Sequence, residues 1–177
     1  MNFLMLLSSF LVVKSIYVSE NDFVKKVCDI MKIDEVWQKD ILRIIYNCFD
    51  DQNKDNLILF TAVSLHNTSN FTVLEPQNNS LRFRSRGLLQ ICTPKNYEKL
   101  TKYSSDHDYL NNPKLLLSLD YSTIRDCVRF FEIQLNSCYD IENYCRSMGL
   151  GEYRHISHRL DIKNLEKIYD ELYANFQ

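Results

Sequence analysis

The chain has 177 residues, a formal net charge of −2 and six cysteines. This length fits a single domain that buries about two-thirds of the surface of its unfolded chain. The near-neutral charge excludes a strong electrostatic attraction to nucleic acid or to an anionic membrane, so neither is an expected partner. Aromatic residues make up 12% of the chain, which suits a packed core and a sugar-binding cleft equally.

The N-terminus carries an apolar run, residues 3–13, that is too short to span a bilayer. Lys14 and the small residues Ser15 and Ser19 follow it. This order predicts a secretory signal peptide over residues 1–19 and a mature domain over residues 20–177. The alternative is a buried first helix. A secreted chain is expected to be extracellular or part of a cell wall, without stable membrane insertion.

The six cysteines all lie in the predicted mature domain, at Cys28, Cys48, Cys92, Cys127, Cys138 and Cys145. An even number in a secreted chain predicts up to three disulfides, whose pairing the sequence leaves open. Cys28 and Cys48 could join the first two helices, and Cys138 and Cys145 could close a small loop. No cysteine or histidine cluster has the spacing of zinc ligands, so neither a metal nor a cofactor is predicted.

Helical periodicity dominates the chain. Ser19 and Asp22 predict a capping box at the start of a first helix. The apolar face of this helix holds Phe23, Val27, Cys28 and Met31. Asp34 is the predicted cap of a second helix, with the apolar stripe Trp37, Ile41, Ile45 and Cys48. A third helix, over about residues 57–66, is apolar nearly all round, as a central buried helix should be.

The helical period fails between residues 69 and 93. Arg82, Arg84 and Arg86 alternate with other side chains, and an apolar run follows at residues 88–91, which predicts a strand or hairpin. Thr93 and Asn112 each precede a proline, which is typical of a helix start. Amphipathic helices over residues 121–135 and 165–176 complete a mainly α prediction.

Four segments carry a recognisable pattern. Residues 66–70, HNTSN, end an apolar helix, and residues 73–78 read VLEPQN. Residues 83–91 read FRSRGLLQI, and residues 109–115 read YLNNPKL. In order and spacing they resemble His-Glu-Ser/Thr-Gly-Gly, Val-Val-Glu-Gln-Asn, Tyr-x-Gly-Arg-Gly-x-Ile-Gln-Leu and Asp-Leu-Leu-Asn-Asn-Pro-x-Leu. These are motifs of the family 19 glycoside hydrolases, the plant-type chitinases of the lysozyme-like superfamily. The resemblance covers about residues 58–132 and fades toward the C-terminus.

The resemblance implies an α+β lysozyme-like domain, helix-rich, with a small β-hairpin beside a substrate cleft. It also implies an inverting hydrolase of β-1,4-linked N-acetylglucosamine polymers such as chitin, with two catalytic carboxyl groups about 6.5–9.5 Å apart. Glu75 stands at the position of the general base, and Asn67 stands at the position of the general acid. An amide has no titratable proton near neutral pH, and general acid catalysis contributes about 10²–10⁴ in rate.

The same resemblance implies a substrate-binding set that consists of His66, Arg86, Gln90, Cys92, Asn96 and Tyr97. Cys92 replaces the hydroxyl that holds the catalytic water in the family, and Ser69 and Asn70 replace its two glycines. Each retained residue also has an ordinary structural interpretation. Glu75 could be a surface carboxylate, Arg86 could tie the strand to a carboxylate, and the polar side chains could satisfy buried backbone.

Four hypotheses follow. The chain could be a secreted chitinase-like hydrolase with weak activity, in which another acid, such as Asp106 or Asp108, replaces Asn67. It could be an inactive wall or matrix protein that binds chitin or a related polymer. It could be a peptidoglycan hydrolase, which would lack the same acid. It could also be a disulfide-stapled helical protein without a glycan ligand. A monomer is expected in each case.

Overall fold

The computed structural model describes residues 18–49, 54–75, 82–136 and 156–176. Helices dominate these ranges, so the prediction of a mainly α fold is confirmed. The elements are α1 (Glu20–Met31), α2 (Val36–Asn47), α3 (Lys54–Thr68), α4 (Pro94–Tyr103), a 3₁₀ helix (Pro113–Leu117), α5 (Tyr121–Leu135) and α6 (Ile156–Phe176). No described helix is long and apolar enough to cross a membrane.

The start of α1 follows the predicted capping box. The Asp22 amide donates to Ser19 Oγ at 3.2 Å, and that hydroxyl donates to the Asp22 carboxylate at 2.7 Å. Val18 is buried, and its carbonyl accepts a hydrogen bond from Tyr46 Oη at 2.7 Å. Val18 and Ser19 therefore belong to the folded domain, although the predicted boundary assigns them to the signal peptide. Most of that peptide lies outside the described residues, and it stays a prediction.

Helix α2 begins one residue later than predicted, with Glu35 as an N-cap whose side chain makes no capping bond. Its buried face consists of Gln38, Ile41, Leu42 and Ile45. Trp37 was predicted on this face but is 43% exposed. Gln38 takes the inward position because its amide donates to the carbonyl of Asn70 at 2.5 Å. The prediction was wrong because apolarity alone placed Trp37 inside.

Helix α3 is the centre of the core. Its side chains are all buried at residues 60–65, and it contacts α2, α5 and α6. Phe60 packs edge-on against Phe131 of α5, with ring centroids 5.3 Å apart, and against Phe49 at 5.7 Å. Thr61 lies inside this apolar helix because its hydroxyl donates back to the Leu57 carbonyl at 2.7 Å. The all-round apolar pattern thus predicted the burial of α3.

The predicted β-hairpin is not present in the described residues. Arg86 and Ile91 form one isolated antiparallel bridge, with reciprocal N–H to carbonyl bonds of 3.1 and 3.0 Å. The pairing stops there because Gly87 and Gln90 have φ angles of 72° and 50°, which fold the intervening residues into a tight turn. A ladder needs consecutive extended residues on both sides.

Cys28, Cys48 and Cys127 are free thiols. The suggested link between Cys28 and Cys48 is therefore wrong. Cys28 lies near Lys39 and Arg43, whereas Cys48 lies near Arg125 and Cys127, so the two thiols have different surroundings. Burial raises the pKa of Cys48 to about 12. The other suggested pair, Cys138 and Cys145, lies outside the described residues.

Candidate functional site

The proposed acid position lies in the last turn of α3. His66 and Asn67 are both half-buried there. The Nδ2 atom of Asn67 is buried and has no hydrogen-bond partner among the described residues. A buried polar group without a partner costs about 1–3 kcal/mol. The amide at the acid position therefore brings a destabilising cost as well as lacking a titratable proton.

The turn after α3 is left-handed at three consecutive residues. Ser69, Asn70 and Phe71 have φ angles of 49°, 58° and 69°. Glycine adopts this conformation readily, whereas other residues incur about 1–2 kcal/mol each. The loss of the two glycines would be expected to reshape the turn, because other residues resist this backbone geometry. Instead, the backbone adopts left-handed geometry at the two positions that are glycine in the family motif.

Hydrogen bonds to the end of α3 hold this turn in place. The Asn70 amide donates to the Leu65 carbonyl at 2.9 Å, and the Val73 amide donates to the Thr68 carbonyl at 2.8 Å. The Phe71 amide donates to the Thr68 hydroxyl at 2.8 Å. Burial of the Phe71 ring adds apolar stabilisation. These contacts offset the backbone strain.

Glu75, the proposed base, is clamped by two arginines. Its Oε1 atom accepts from Arg84 Nε at 2.6 Å and from Arg86 Nε at 2.5 Å. The hydrogen bond from Arg84, and then the bond and charge of Arg86, hold the pKa of Glu75 below its ordinary value, although burial opposes this. A carboxylate with a lowered pKa is a weaker proton acceptor.

Arg86 joins this clamp to α4. Its side chain is only 5% exposed, and Nη1 donates to the Arg82 carbonyl at 2.8 Å and to Tyr97 Oη at 3.2 Å. The Tyr97 hydroxyl in turn donates to the Arg84 carbonyl at 2.9 Å. Burial raises the pKa of Tyr97, so its hydroxyl keeps its proton at neutral pH. Arg86 and Tyr97 thus serve the fold of this loop.

Gln90 and Asn96 are also buried. Gln90 Nε2 donates to the carbonyls of Gly87 at 3.0 Å and Leu74 at 3.2 Å. The backbone amide of Asn96 donates to the Thr93 hydroxyl at 3.4 Å, at the start of α4. Gln90 therefore satisfies buried backbone, which was the structural alternative for its role.

Gly87 has a geometric reason to be glycine. Its φ angle is 72°, and a Cβ atom there would lie 2.8 Å from the Leu116 carbonyl oxygen. Its amide donates to the Leu74 carbonyl at 2.9 Å, one residue before Glu75. The part of the resemblance that includes Gly87 thus corresponds to a close backbone approach, which side-chain substitution would break.

The predicted site residues are only partly brought together. Hydrogen bonds connect Glu75, Arg86 and Tyr97 directly. Among the described residues no hydrogen bond joins Asn67 to Glu75, and Cys92 is half-buried. A surface groove of about 410 Å³ lies elsewhere, between α1 and α2, and none of the predicted site residues lines it. No group of three or more candidate metal ligands occurs among the described residues.

The two loop acids that could replace Asn67 have other partners. Asp106 is bound by Arg125 of α5 at 2.9 Å. Asp108 accepts from the side chain and the backbone amide of Asn111 at 2.6 and 3.0 Å, which lowers its pKa. A carboxyl group with a lowered pKa is ionised at neutral pH and does not serve as a general acid.

Sequence analysis missed a second polar cluster around Asp126 of α5, which is fully buried. Its Oδ2 atom accepts from Ser104 Oγ at 2.6 Å and Tyr109 Oη at 2.9 Å, and lies 3.0 Å from His107 Nδ1. The signal was the single acidic residue within the apolar stripe of α5. Because the two hydroxyl donors and the His107 ring all contact one carboxylate oxygen, this cluster fastens the loop after α4 to α5.

The left-handed turn yields a stability prediction. Ser69→Gly should raise the free energy of unfolding by about 1 kcal/mol, because glycine removes the strain at a positive φ. Urea unfolding measures the change. Ser105→Gly, at an exposed loop position without a positive φ, is the control and should not stabilise the protein. Equal stabilisation by both variants would contradict the assignment of strain to Ser69.

The arginine clamp yields a pH prediction. Glu75→Gln should lower the free energy of unfolding at pH 7 by about 2 kcal/mol, because a charged acceptor is lost from two hydrogen bonds. Since the folded pKa of Glu75 is lowered, its contribution is complete above the ordinary value of 4.5 and is lost as the pH falls through the folded value. Urea unfolding of both proteins from pH 7 to pH 3 should show the difference shrinking. A difference independent of pH would refute the clamp.

The buried cluster yields a third prediction. Asp126→Asn should lower the free energy of unfolding by about 2 kcal/mol, because a neutral amide oxygen accepts weaker bonds from the Ser104 and Tyr109 hydroxyls. Asp106→Asn, which breaks an exposed pair with Arg125, should cost less than about 1 kcal/mol. Chemical denaturation of the two variants provides the comparison. Losses of the same size would argue against a fastening role for Asp126.

Comparison with known proteins adds information about location. No protein-family model matches the chain, and no solved structure matches it. It is similar to Spore wall protein 25 of Nosema bombycis, with 33% identity over 131 residues, which covers 68% of this chain and 48% of that protein. It is also similar to an uncharacterized protein of Encephalitozoon cuniculi, with 28% identity over 145 residues, 75% of this chain and 59% of that protein.

The chain thus spans between about half and three-fifths of the length of these two relatives. The spore wall relative supports the predicted extracellular or cell-wall location. Neither relative is named as a glycoside hydrolase, so membership of family 19 stays a prediction.

Proposed function

We propose that this chain is a non-catalytic component of an extracellular wall that binds N-acetylglucosamine polymers such as chitin. The observation that carries the proposal is the clamp of Arg84 and Arg86 on Glu75 in a chain with Asn67 at the acid position. Both halves of an inverting mechanism are then impaired. The spore wall protein of Nosema bombycis supports the wall location.

The clamp opposes catalysis through charge and occupancy. An inverting base must accept a proton from water, and its partner carboxyl group must lie across the substrate. Two N–H groups already occupy Glu75 Oε1, and they stabilise the unprotonated form. Arg86 is buried and has further partners, so releasing Glu75 would disturb a connected network. Such a carboxylate suits a structural role.

The hydrolase hypotheses require a proton donor in place of Asn67, and the two acids suggested for that role have other partners. Asp106 is paired with an arginine on α5, and Asp108 is held ionised by Asn111. A peptidoglycan hydrolase of this fold would need the same acid as a chitinase. These hypotheses therefore have less support than the wall-protein alternative.

Exposed apolar side chains occur on α2 and after the left-handed turn, two segments that one hydrogen bond joins. Val36 and Trp37 are 70% and 43% exposed at the start of α2, and Val73 is 42% exposed after the turn. The bond from Gln38 to the Asn70 carbonyl fastens α2 to this turn. The apolar faces of pyranose rings pack well on an indole, and exposed apolar side chains are a usual feature of binding surfaces. The Trp37 surface, composed of Val36, Trp37 and Val73, is the proposed contact.

The test of binding is a chitin pull-down with the whole chain. The unmodified protein should be retained on chitin beads and eluted by soluble N-acetylglucosamine oligomers. Trp37→Ala should weaken retention at least fivefold, because the largest exposed apolar side chain of the surface is removed. Tyr121→Ala removes an aromatic side chain of similar exposure, 49%, on α5 and is the matched control. No retention of the unmodified protein, or equal loss in both variants, would refute the proposal.

Hydrolysis is a separate measurement. Release of reducing ends from chitin oligomers should stay at the level of the Glu75→Gln variant, because the unmodified protein lacks the acid and has its base clamped. Turnover that Glu75→Gln abolishes would show an active enzyme and overturn the non-catalytic assignment. Retention on chitin would be unaffected by that outcome, so binding and catalysis are judged independently.

A further inference from the structure

The groove between α1 and α2 is distinct from the segments that resemble a glycosidase. It has a volume of about 410 Å³, which lies within the range of small-molecule sites. Charged side chains dominate its walls. They are Lys25, Lys32, Lys39 and Arg43, together with Asp29 and Asp34. Cations therefore exceed carboxylates by two in a chain whose net charge is negative.

The four cations are arranged as two rows. Lys25 lies on α1 and Lys32 is its C-cap seven residues later, which is about 10 Å along the helix axis. Lys39 and Arg43 are four residues apart on α2, which is about 6 Å. Lys39 Nζ donates to the Asp34 carbonyl at 3.0 Å, so its ammonium is held beside the connection between α1 and α2. A single small anion cannot reach both ends of an arrangement this long.

The cations differ in how far they are neutralised. Arg43 is partly compensated, because Nη1 contacts Asp40 at 2.6 Å and Nε lies 3.7 Å from Glu20. Lys25 and Lys32 form no ion pair with the residues that the structure describes. With Lys39, whose described bond is to a neutral backbone carbonyl, these ammonium groups supply the uncompensated positive charge of the groove. Such charge attracts anions most strongly where low-dielectric walls focus the field.

Lys32 also has an unfavourable backbone. It caps α1 in the left-handed conformation, with φ 56° and ψ 47°. Glycine is the residue that most often ends a helix in this conformation, because it has no Cβ atom. A lysine here is strained, and its side chain lines the groove. An observed backbone outlier beside a charged cavity is a reason to look for a ligand.

We propose that the groove between α1 and α2 binds a small ligand that carries two or more phosphate groups. Lysine ammonium groups bind phosphate as point charges, and the planar guanidinium of Arg43 matches phosphate geometry. Several linked phosphates can contact both rows at once, whereas orthophosphate contacts one. Asp29 and Asp34 repel anions that do not reach the lysines, which favours a ligand with concentrated charge.

Cys28 lines the same groove and provides an internal reporter. Burial raises the pKa of its thiol, whereas the charges of Lys39 and Arg43 act in the opposite direction. A bound polyanion would neutralise those cations and cover the sulfur. Alkylation of Cys28 should therefore slow when the ligand is present, because the thiolate is the reactive form.

The test uses the whole chain and inorganic tripolyphosphate as the probe. Isothermal titration calorimetry at low salt should show binding at least tenfold tighter than that of orthophosphate, with affinity falling as salt rises. The double variant Lys25→Gln/Lys32→Gln should lose at least tenfold in affinity. Lys95→Gln/Lys114→Gln, which removes two exposed lysines outside the groove, is the matched control and should change affinity less than twofold.

Lys32→Gly separates binding from folding. It removes the cation and also the backbone strain, so the variant should melt at or above the temperature of the unmodified protein and still bind more weakly. Tripolyphosphate should slow alkylation of Cys28 at least threefold, measured by mass spectrometry of the modified peptide. Absence of binding, equal losses in the groove and control variants, or equally tight binding of a glutamate peptide of the same charge would overturn the proposal.

Discussion

The ion pair between Glu75 and Arg86 is the contact on which the arrangement after α3 depends. Arg86 is buried, and a buried guanidinium without a carboxylate is strongly destabilising. Glu75 supplies that partner through Nε, while the Arg82 carbonyl and the Tyr97 hydroxyl accept hydrogen bonds from Nη1. The buried guanidinium of Arg86 therefore fixes three features. They are the position of the loop after α3, the short bridge to Ile91 and the start of α4.

The same ion pair explains why a resemblance to an enzyme family does not amount to evidence for its reaction. Several predicted substrate residues are polar groups that the fold itself uses. Gln90 binds the carbonyls of the turn, and Tyr97 binds Arg84 and Arg86. Polar side chains that match the motifs of an enzyme family can thus be explained by their hydrogen bonds to buried backbone groups alone. A scaffold of this kind can serve binding at its surface, where Trp37 lies, without a working acid and base.

Much of the fold could be predicted because helix signals are local. The capping box at Ser19, the N-cap at Thr93 and the apolar pattern of α3 each depend on residues within one or two turns. The failures depended on distant contacts. Trp37 is exposed because Gln38 bonds to Asn70, 32 residues away. Only one bridge of the expected hairpin forms, because Gly87 and Gln90 have positive φ angles. Strand propensity does not predict such angles.

The candidate site was less predictable for the same reason. Alternating arginines indicated a shared face, but not that Arg84 and Arg86 would bind one oxygen of Glu75. Asp126 was visible in the sequence only as an acid among apolar residues. The groove between α1 and α2 has no recognisable sequence motif. Its charged residues come from two helices, and helical periodicity predicts each helix separately.

Arg86 also determines how this part of the protein can open. One side chain links the carboxylate of Glu75, a backbone carbonyl and the hydroxyl of Tyr97 on α4. The contacts of this segment cannot therefore break one at a time, because loss of any one of them leaves the buried guanidinium of Arg86 without one of its partners. Residues 82–97 should open as one cooperative unit, with a local stability set by a single guanidinium instead of by the many small contributions of a sheet.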